Sequence, residues 1–156
     1  MEQRYIDSLT EICGKANVFY EMADIERYLY DETEEYVRPK ACEDCIVVRP
    51  GTYEEVSEIL KWANQELVPI IPRGGGTGAC GAAIPTEPSV IMSMERFRKI
   101  VEVDETNMMI TCQTGVTLAS LNEYLAKNVH ALYFPCHPGD EGAQVGGMCI
   151  ENAGGV

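Results

Sequence analysis

Five glycines within eight residues constrain this chain more than any other feature. They lie in Val68–Ala83, VPIIPRGGGTGACGAA, where a short apolar run with β character (Val68 to Ile71) meets Pro72. The chain then breaks into a loop carrying Gly74, Gly75, Gly76, Gly78 and Gly81. Glycine has no Cβ, so such a loop can take positive φ and let backbone amides approach a ligand closely. Successive amides in such turns form a concave nest for anions, above all phosphates. A strand ending in this loop is therefore a candidate phosphate or dinucleotide site, and a mobile surface turn is the alternative. The strand context and a second glycine cluster near the C-terminus favour the site.

The type of loop can be narrowed. A P-loop ends in Gly-Lys-Ser/Thr, and no lysine occurs between Lys61 and Lys99. Gly76, Gly78 and Gly81 satisfy G-x-G-x-x-G, but that fingerprint requires a helix to start inside the motif and meet the pyrophosphate. Here AAIPTEPSVIMSM follows: Pro85 and Pro88 forbid a helix interior, and Ser89–Met92 reads as another strand. The Rossmann reading fails on context. A backbone-lined phosphate loop joining two strands remains.

Charge and composition exclude other classes. With 25 acidic against 12 basic residues, the net charge of −13 argues against a nucleic-acid surface. At 156 residues the chain has the size of one domain with enough apolar content for a core. No apolar run approaches the ~18 residues of a spanning helix. MEQRYIDSLTEICGKA at the N-terminus lacks an apolar core and cleavage site, so a cytoplasmic protein, at most peripheral to a membrane, is expected. The seven cysteines read as reduced, small hydrophobes. Cys42 and Cys45 form one C-x-x-C without the second pair that a closed zinc site needs, and His130 and His137 are not suitably spaced. No metal is expected.

Periodicity supplies the elements. Residues 3–13 place Tyr5, Ile6, Leu9, Ile12 and Cys13 on one helical stripe. Phe19 to Tyr36 is acidic and tyrosine-rich, with a second short helical pattern ending at Tyr28, Tyr30 and Asp31. Cys45–Val48 is a strand, and Thr52-Tyr53-Glu54-Glu55 is a capping box that starts a helix with Val56, Ile59, Leu60 and Ala63 inward. Strand, helix, strand, loop, strand makes a βαβ-type half of a small parallel sheet. Ile100–Val103 and Met108–Gln113 then read as antiparallel strands around Asp104-Glu105-Thr106-Asn107. Thr117 to Ala126 is a helix with Leu118, Leu121 and Leu125 on one face. Leu132–Phe134 leads into PCHPGDEGAQVGGMCIENAGGV, and the chain stops inside that cluster, which predicts a longer protein.

Several blocks in this order resemble the FAD-binding domain of FAD-linked oxidoreductases of the vanillyl-alcohol oxidase/p-cresol methylhydroxylase type, nearest the D-lactate dehydrogenase and glycolate oxidase flavin-subunit branch. The blocks are IVVRPGTYEEV, IPRGGGTGACGAAIP, VIMSMERFRKIVEVD, QTGVTLASL, FPCHPG and VGGMCIENAGG, roughly residues 45–155, with Tyr30-Asp31 resembling the usual lead-in. The fold class implied is α+β: a small βαβ-type subdomain, then the start of an antiparallel α+β subdomain. The expected divisions are 1–40 as a helical lead-in, 41–98 as the first FAD-binding subdomain and 99–156 as the start of the second.

The resemblance implies that Arg73, Gly74, Gly75, Gly76, Thr77 and Gly78, with Gly81, wrap the FAD pyrophosphate through backbone amides, and that Pro72 before them is also a cofactor-binding residue. It also implies that Pro138, Gly139, Gly142, Ala143, Gly146 and Gly147 line the cofactor between the two subdomains, with Asn152 and Gly155 close by. Relatives with covalent flavin often carry histidine in the first loop; Thr77 stands at that place here, so FAD is expected to be non-covalent. Where relatives often place Ser or Thr before the second glycine pair, this chain has Ala143-Gln144-Val145. The substrate implied is a small 2-hydroxy acid of the D-lactate or glycolate type, oxidised by hydride transfer to FAD. The acceptor implied is an electron-transfer flavoprotein, an iron–sulfur subunit or a quinone, with self-association as a further partnership. Catalytic base and substrate-binding arginines are expected beyond Val156. His137 is a flavin neighbour or an ordinary loop residue, and Tyr124 and Tyr133 read as core or edge. A stand-alone nucleotide-binding or regulatory module without catalysis is the alternative.

Overall fold

A computed structural model describes residues 1–129, 131–135 and 139–154. It divides into two units, Met1–Arg96 and Phe97–Val156.

The first unit is built on a four-stranded sheet. Its helix α1 (Gln3–Cys13) matches the predicted stripe, with Leu9 and Cys13 buried. A single 3₁₀ turn leads to β1 (Val18–Phe19), then α2 (Met22–Ile25) and a second 3₁₀ turn ending at Tyr28. The central strands are β2 (Cys45–Val48) and β4 (Ser89–Ser93), every residue of which is buried, as expected for parallel strands covered on both faces. Between them in sequence come α3 (Tyr53–Glu66) and β3 (Ile70–Arg73). The sheet order is β1-β2-β4-β3, with β2, β3 and β4 parallel and β1 antiparallel on β2. The predicted βαβ arrangement is therefore present, with the glycine loop as the connection that brings β4 between β2 and β3.

Three local readings differ. β1 was not expected; two residues carry no strand signal, and Val18 and Phe19 are strand only because they pair with Val48 and Val47. β3 runs two residues later than the apolar run and includes Pro72. On an edge strand a missing N–H is tolerated. On α3, Leu60 is 46% exposed, while Ile59 and Ala63 are buried and Trp62 meets Tyr5 edge-on at 5.3 Å. The apolar face is thus rotated toward α1. The capping box is real but shifted: Thr52 Oγ1 accepts from the Glu55 amide (3.1 Å), and Glu55 Oε2 accepts from the Gly51 amide (2.7 Å).

The second unit holds the hairpin β5 (Ile100–Asp104) and β6 (Met109–Cys112), then α4 (Leu118–Asn128). Asp104 closes the hairpin turn by accepting from both the backbone and side-chain nitrogens of Asn107. Thr117 caps α4 by accepting from the Ser120 amide. Val116, Leu121, Leu125 and Val129 form its core with Ile100, Val103 and Ile110 of the hairpin. The second glycine region, read as a loop, contains the short helix α5 (Val145–Ile150).

Candidate functional site

Ligands of parallel α/β sheets gather at the carboxyl ends of the strands. β2, β3 and β4 all point their carboxyl ends the same way, and β3 ends at Arg73, where the glycine loop begins. The Met94 amide donating to Arg73 O (3.0 Å) carries the ladder to the last residue before the loop. Beyond that, no amide from Gly74 to Gly78 donates to an acceptor among the described residues. The loop is instead held by its carbonyls: Gly78 O accepts from the Glu32 amide (2.9 Å) and Gly81 O from the Ile84 amide (3.1 Å). Unpaired donors must find a partner in water or in a ligand. A run of them on a partly exposed turn suits an anion.

Two of the loop glycines are required by the backbone. Gly76 (φ +73°) and Gly81 (φ +76°) occupy the left-handed region. A Cβ on Gly76 would also stand 2.1 Å from Arg73 Nη2, and one on Gly81 would reach Pro39 Cδ at 3.5 Å. Gly78 has neither constraint, since nothing lies within 4 Å of its missing Cβ. Nothing among the described residues requires glycine there, and the open space leaves room for a ligand to approach the backbone.

Arg73 does not extend its side chain into solvent. It is 6% exposed, with Nη2 donating to the carbonyls of Arg27 (3.2 Å) and Tyr30 (2.8 Å) and the guanidinium 5.9 Å from the Tyr28 ring centroid. Burial lowers its pKa, and the Asp31 carboxylate partly offsets that. Nη1 and Asp31 Oδ2 are both buried without a hydrogen-bond partner among the described residues. Sequence reasoning gave Arg73 only a backbone role; no local signal tells an arginine that turns inward from one that reaches a phosphate.

In the second unit, Gly139 takes φ +84°, and Asp140 Oδ1 accepts from the Gly142 amide at 2.7 Å. Ala143 is buried and its carbonyl accepts from the Leu118 amide, while Thr117 and Gln144 form an antiparallel bridge. Gly146 packs on Thr114: its amide donates to Thr114 O, and a Cβ there would stand 2.7 Å from Thr114 Cβ. Gly147, beside it, faces open space. Asn152 takes φ +49° just past α5. Pro138, Gly155 and His137 lie outside the described residues.

Other residues singled out earlier take ordinary places. Cys45 is buried, donates to Cys42 O at 3.2 Å, and has its thiol pKa raised by burial, partly countered by Ser89. Tyr133 is exposed and Tyr124 half-buried on α4. Among the described residues no helix is long and apolar enough to cross a membrane.

A family model described as an FAD binding domain matches residues 45–156. The chain belongs to this family. The D-lactate dehydrogenase of Archaeoglobus fulgidus is 47% identical over 131 residues, covering 84% of this chain and 29% of that protein. The glycolate oxidase subunit GlcD of Bacillus subtilis is 32% identical, covering 96% of this chain and 31% of the subunit. The chain thus spans about three tenths of the length of these relatives. A solved structure of p-cresol methylhydroxylase with substrate bound superposes with a TM-score of 0.83 at 19% identity, over 97% of this chain and 29% of that one, which shows a shared fold. The expected vanillyl-alcohol oxidase/p-cresol methylhydroxylase type of FAD-binding domain is therefore the fold observed.

FAD is the cofactor of this domain, and the loop fits it. A diphosphate needs several converging donors; Gly74–Gly78 supplies consecutive unpaired amides, a left-handed glycine at Gly76 and open space at Gly78. Neutral amides also let a chain of net charge −13 hold an anion without a lysine.

Proposed function

We propose that the intact protein is an FAD-dependent oxidoreductase that oxidises a small 2-hydroxy acid of the D-lactate or glycolate type. The observation that carries this reading is the unpaired-amide loop at the carboxyl end of β3, in a chain 47% identical to a D-lactate dehydrogenase. When bound, FAD supplies the chemistry by accepting hydride from the carbon that bears the hydroxyl group. The amides of Gly74, Gly75, Gly76, Thr77 and Gly78 bind and orient the diphosphate, with Pro72, Arg73 and Gly81 shaping the loop. Gly139, Gly142, Ala143, Gly146, Gly147 and Asn152 are further cofactor contacts in this reading, with Pro138 and Gly155. Thr77 offers no ring nitrogen for a flavin bond, so the cofactor is held non-covalently. The electron acceptor is of the class of an electron-transfer flavoprotein, an iron–sulfur subunit or a quinone.

The test uses the intact protein. Acid precipitation should release all flavin to the supernatant; flavin in the pellet removes the non-covalent assignment. Anaerobic mixing with D-lactate or glycolate should bleach the visible flavin band, with the 2-oxo acid as product. A flavin-loaded protein that neither acid bleaches would overturn the substrate class.

A further inference from the structure

Residues 27–33 grip the glycine loop at two places. At its start, the Arg73 guanidinium reaches back to the carbonyls of Arg27 and Tyr30; at its far side, Gly78 O accepts from the Glu32 amide. Between these points Gly76 rests on the guanidinium, so closely that a methyl group there would stand 2.1 Å from Nη2. Asp31, which attracts the guanidinium, has its own Oδ1 fixed by the Thr33 amide at 3.0 Å. The bracing residues 27–33 lie ahead of residue 45, where the match to the FAD binding domain begins.

Burying a cation is costly unless it is well bonded. Arg73 is buried with Nη2 bonded to two backbone carbonyls and with the charge of Asp31 favouring its cationic form, and it touches the one loop residue that combines positive φ with a blocked Cβ position. A planar guanidinium can bond two carbonyls at once while presenting a flat surface to Gly76.

We propose that Arg73 is a positioning residue: braced by residues 27–33, its side chain fixes Gly74–Gly78 in the conformation that leaves the amides unpaired for the diphosphate. This inference rests on the reading of that loop as the diphosphate site. Removing the guanidinium takes away the surface under Gly76 and frees the loop amides to turn toward protein carbonyls. Preorganisation is then lost, and affinity with it. Lysine keeps the charge but not the plane.

The test is FAD titration of the intact apoprotein carrying Arg73→Met, Arg73→Lys or Gly78→Val, read by flavin fluorescence. Arg73→Met should weaken FAD at least tenfold and Arg73→Lys by less. At saturating FAD both should keep the wild-type visible absorption bands, because a lost preorganisation costs affinity while the seated diphosphate restores the wild-type bound conformation. A general structural role would weaken binding and shift the bands together, and that result overturns the proposal. So does an affinity within twofold of wild type in both variants. Should Arg73→Met fail to fold, Arg73→Lys decides by the same two readings. Gly78→Val separates the two levels: if it binds FAD like wild type, the diphosphate reading itself falls. If it loses FAD while the Arg73 variants keep it, only the positioning role falls.

Discussion

Arg49 and Glu95 meet just beyond the carboxyl ends of two neighbouring parallel strands, with Arg49 Nη1 donating to Glu95 Oε1 at 2.7 Å. The other carboxylate oxygen accepts from Tyr28 (3.2 Å) and Ser93 (3.4 Å). Desolvation pushes the Glu95 pKa up, but the bond and charge of Arg49, the Tyr28 hydroxyl and Arg27 outweigh it and hold it below 4.5. A depressed carboxylate pKa contributes stability that is present above the unfolded value and lost as pH falls through the folded one. Glu95→Gln should therefore destabilise by about 1–2 kcal/mol at pH 7, between an exposed and a fully buried pair. The gap should close below pH 4.5. Urea unfolding at pH 7 and pH 3.5 checks this; an equal penalty at both would assign the effect to packing.

Cys13 titrates in the opposite direction. It is 5% exposed at the end of α1, and burial, with the charge of Glu55 against that of Arg96, pushes its thiol from 9.0 up to about 11. Native protein should thus leave Cys13 unalkylated by iodoacetamide at pH 8, while exposed Cys80 and Cys149 react. A raised pKa means that the folded state holds the proton longer. This contribution is full below pH 9 and is lost as pH rises toward about 11. Cys13→Ala should flatten the alkaline fall in stability over that window; an unchanged profile would show that other groups cause it.

The sequence made these elements legible to different degrees, for identifiable reasons. β2 and α1 could be read closely because each depends on its own residues, four consecutive apolar side chains in one and a helical stripe in the other. α3 was legible from Thr52 and Glu55, which act within one turn. β1 was not, because its strand character comes from β2, distant in sequence. α5 was hidden by Gly146 and Gly147, each costing a helix interior about 1 kcal/mol. Its first turn is pinned from outside by Val145 N–H to Val116 O and Gly146 N–H to Thr114 O. The glycine loop was legible as a loop, since glycine and proline act locally. The inward turn of Arg73 was not, since its partners lie more than forty residues earlier.

Leu67 offers a test of backbone strain. It ends α3 at φ +54°, ψ +38°, donates to Ala63 O, and is 86% exposed. Glycine is the usual residue at such a left-handed helix terminus because L side chains crowd the carbonyl there. Leu67→Gly should raise stability by about 0.5–1 kcal/mol, the relief exceeding the added freedom of the unfolded chain. Thermal unfolding reads this as a higher Tm. A lower Tm would show that the leucine side chain packs usefully despite its exposure.

Gly78 gives the most direct test of the site, because fold and ligand make different demands on it. A Cβ there meets nothing within 4 Å, and its φ lies outside the left-handed region. Its carbonyl bond to the Glu32 amide uses backbone alone, which any residue can supply. Gly78→Val should therefore leave apoprotein stability within about 0.5 kcal/mol of wild type, as for surface substitutions that touch nothing. A branched side chain on a loop that must reach a diphosphate blocks the approach of the neighbouring amides. Flavin should be lost on gel filtration of the variant and retained by wild type. Gly76→Ala should lose flavin too, but with falling stability, because its methyl group meets both positive φ and the Arg73 guanidinium. Two loop glycines would then lose the same cofactor, one at the expense of the fold and one without it. A Gly78 variant that keeps its flavin would place the diphosphate elsewhere.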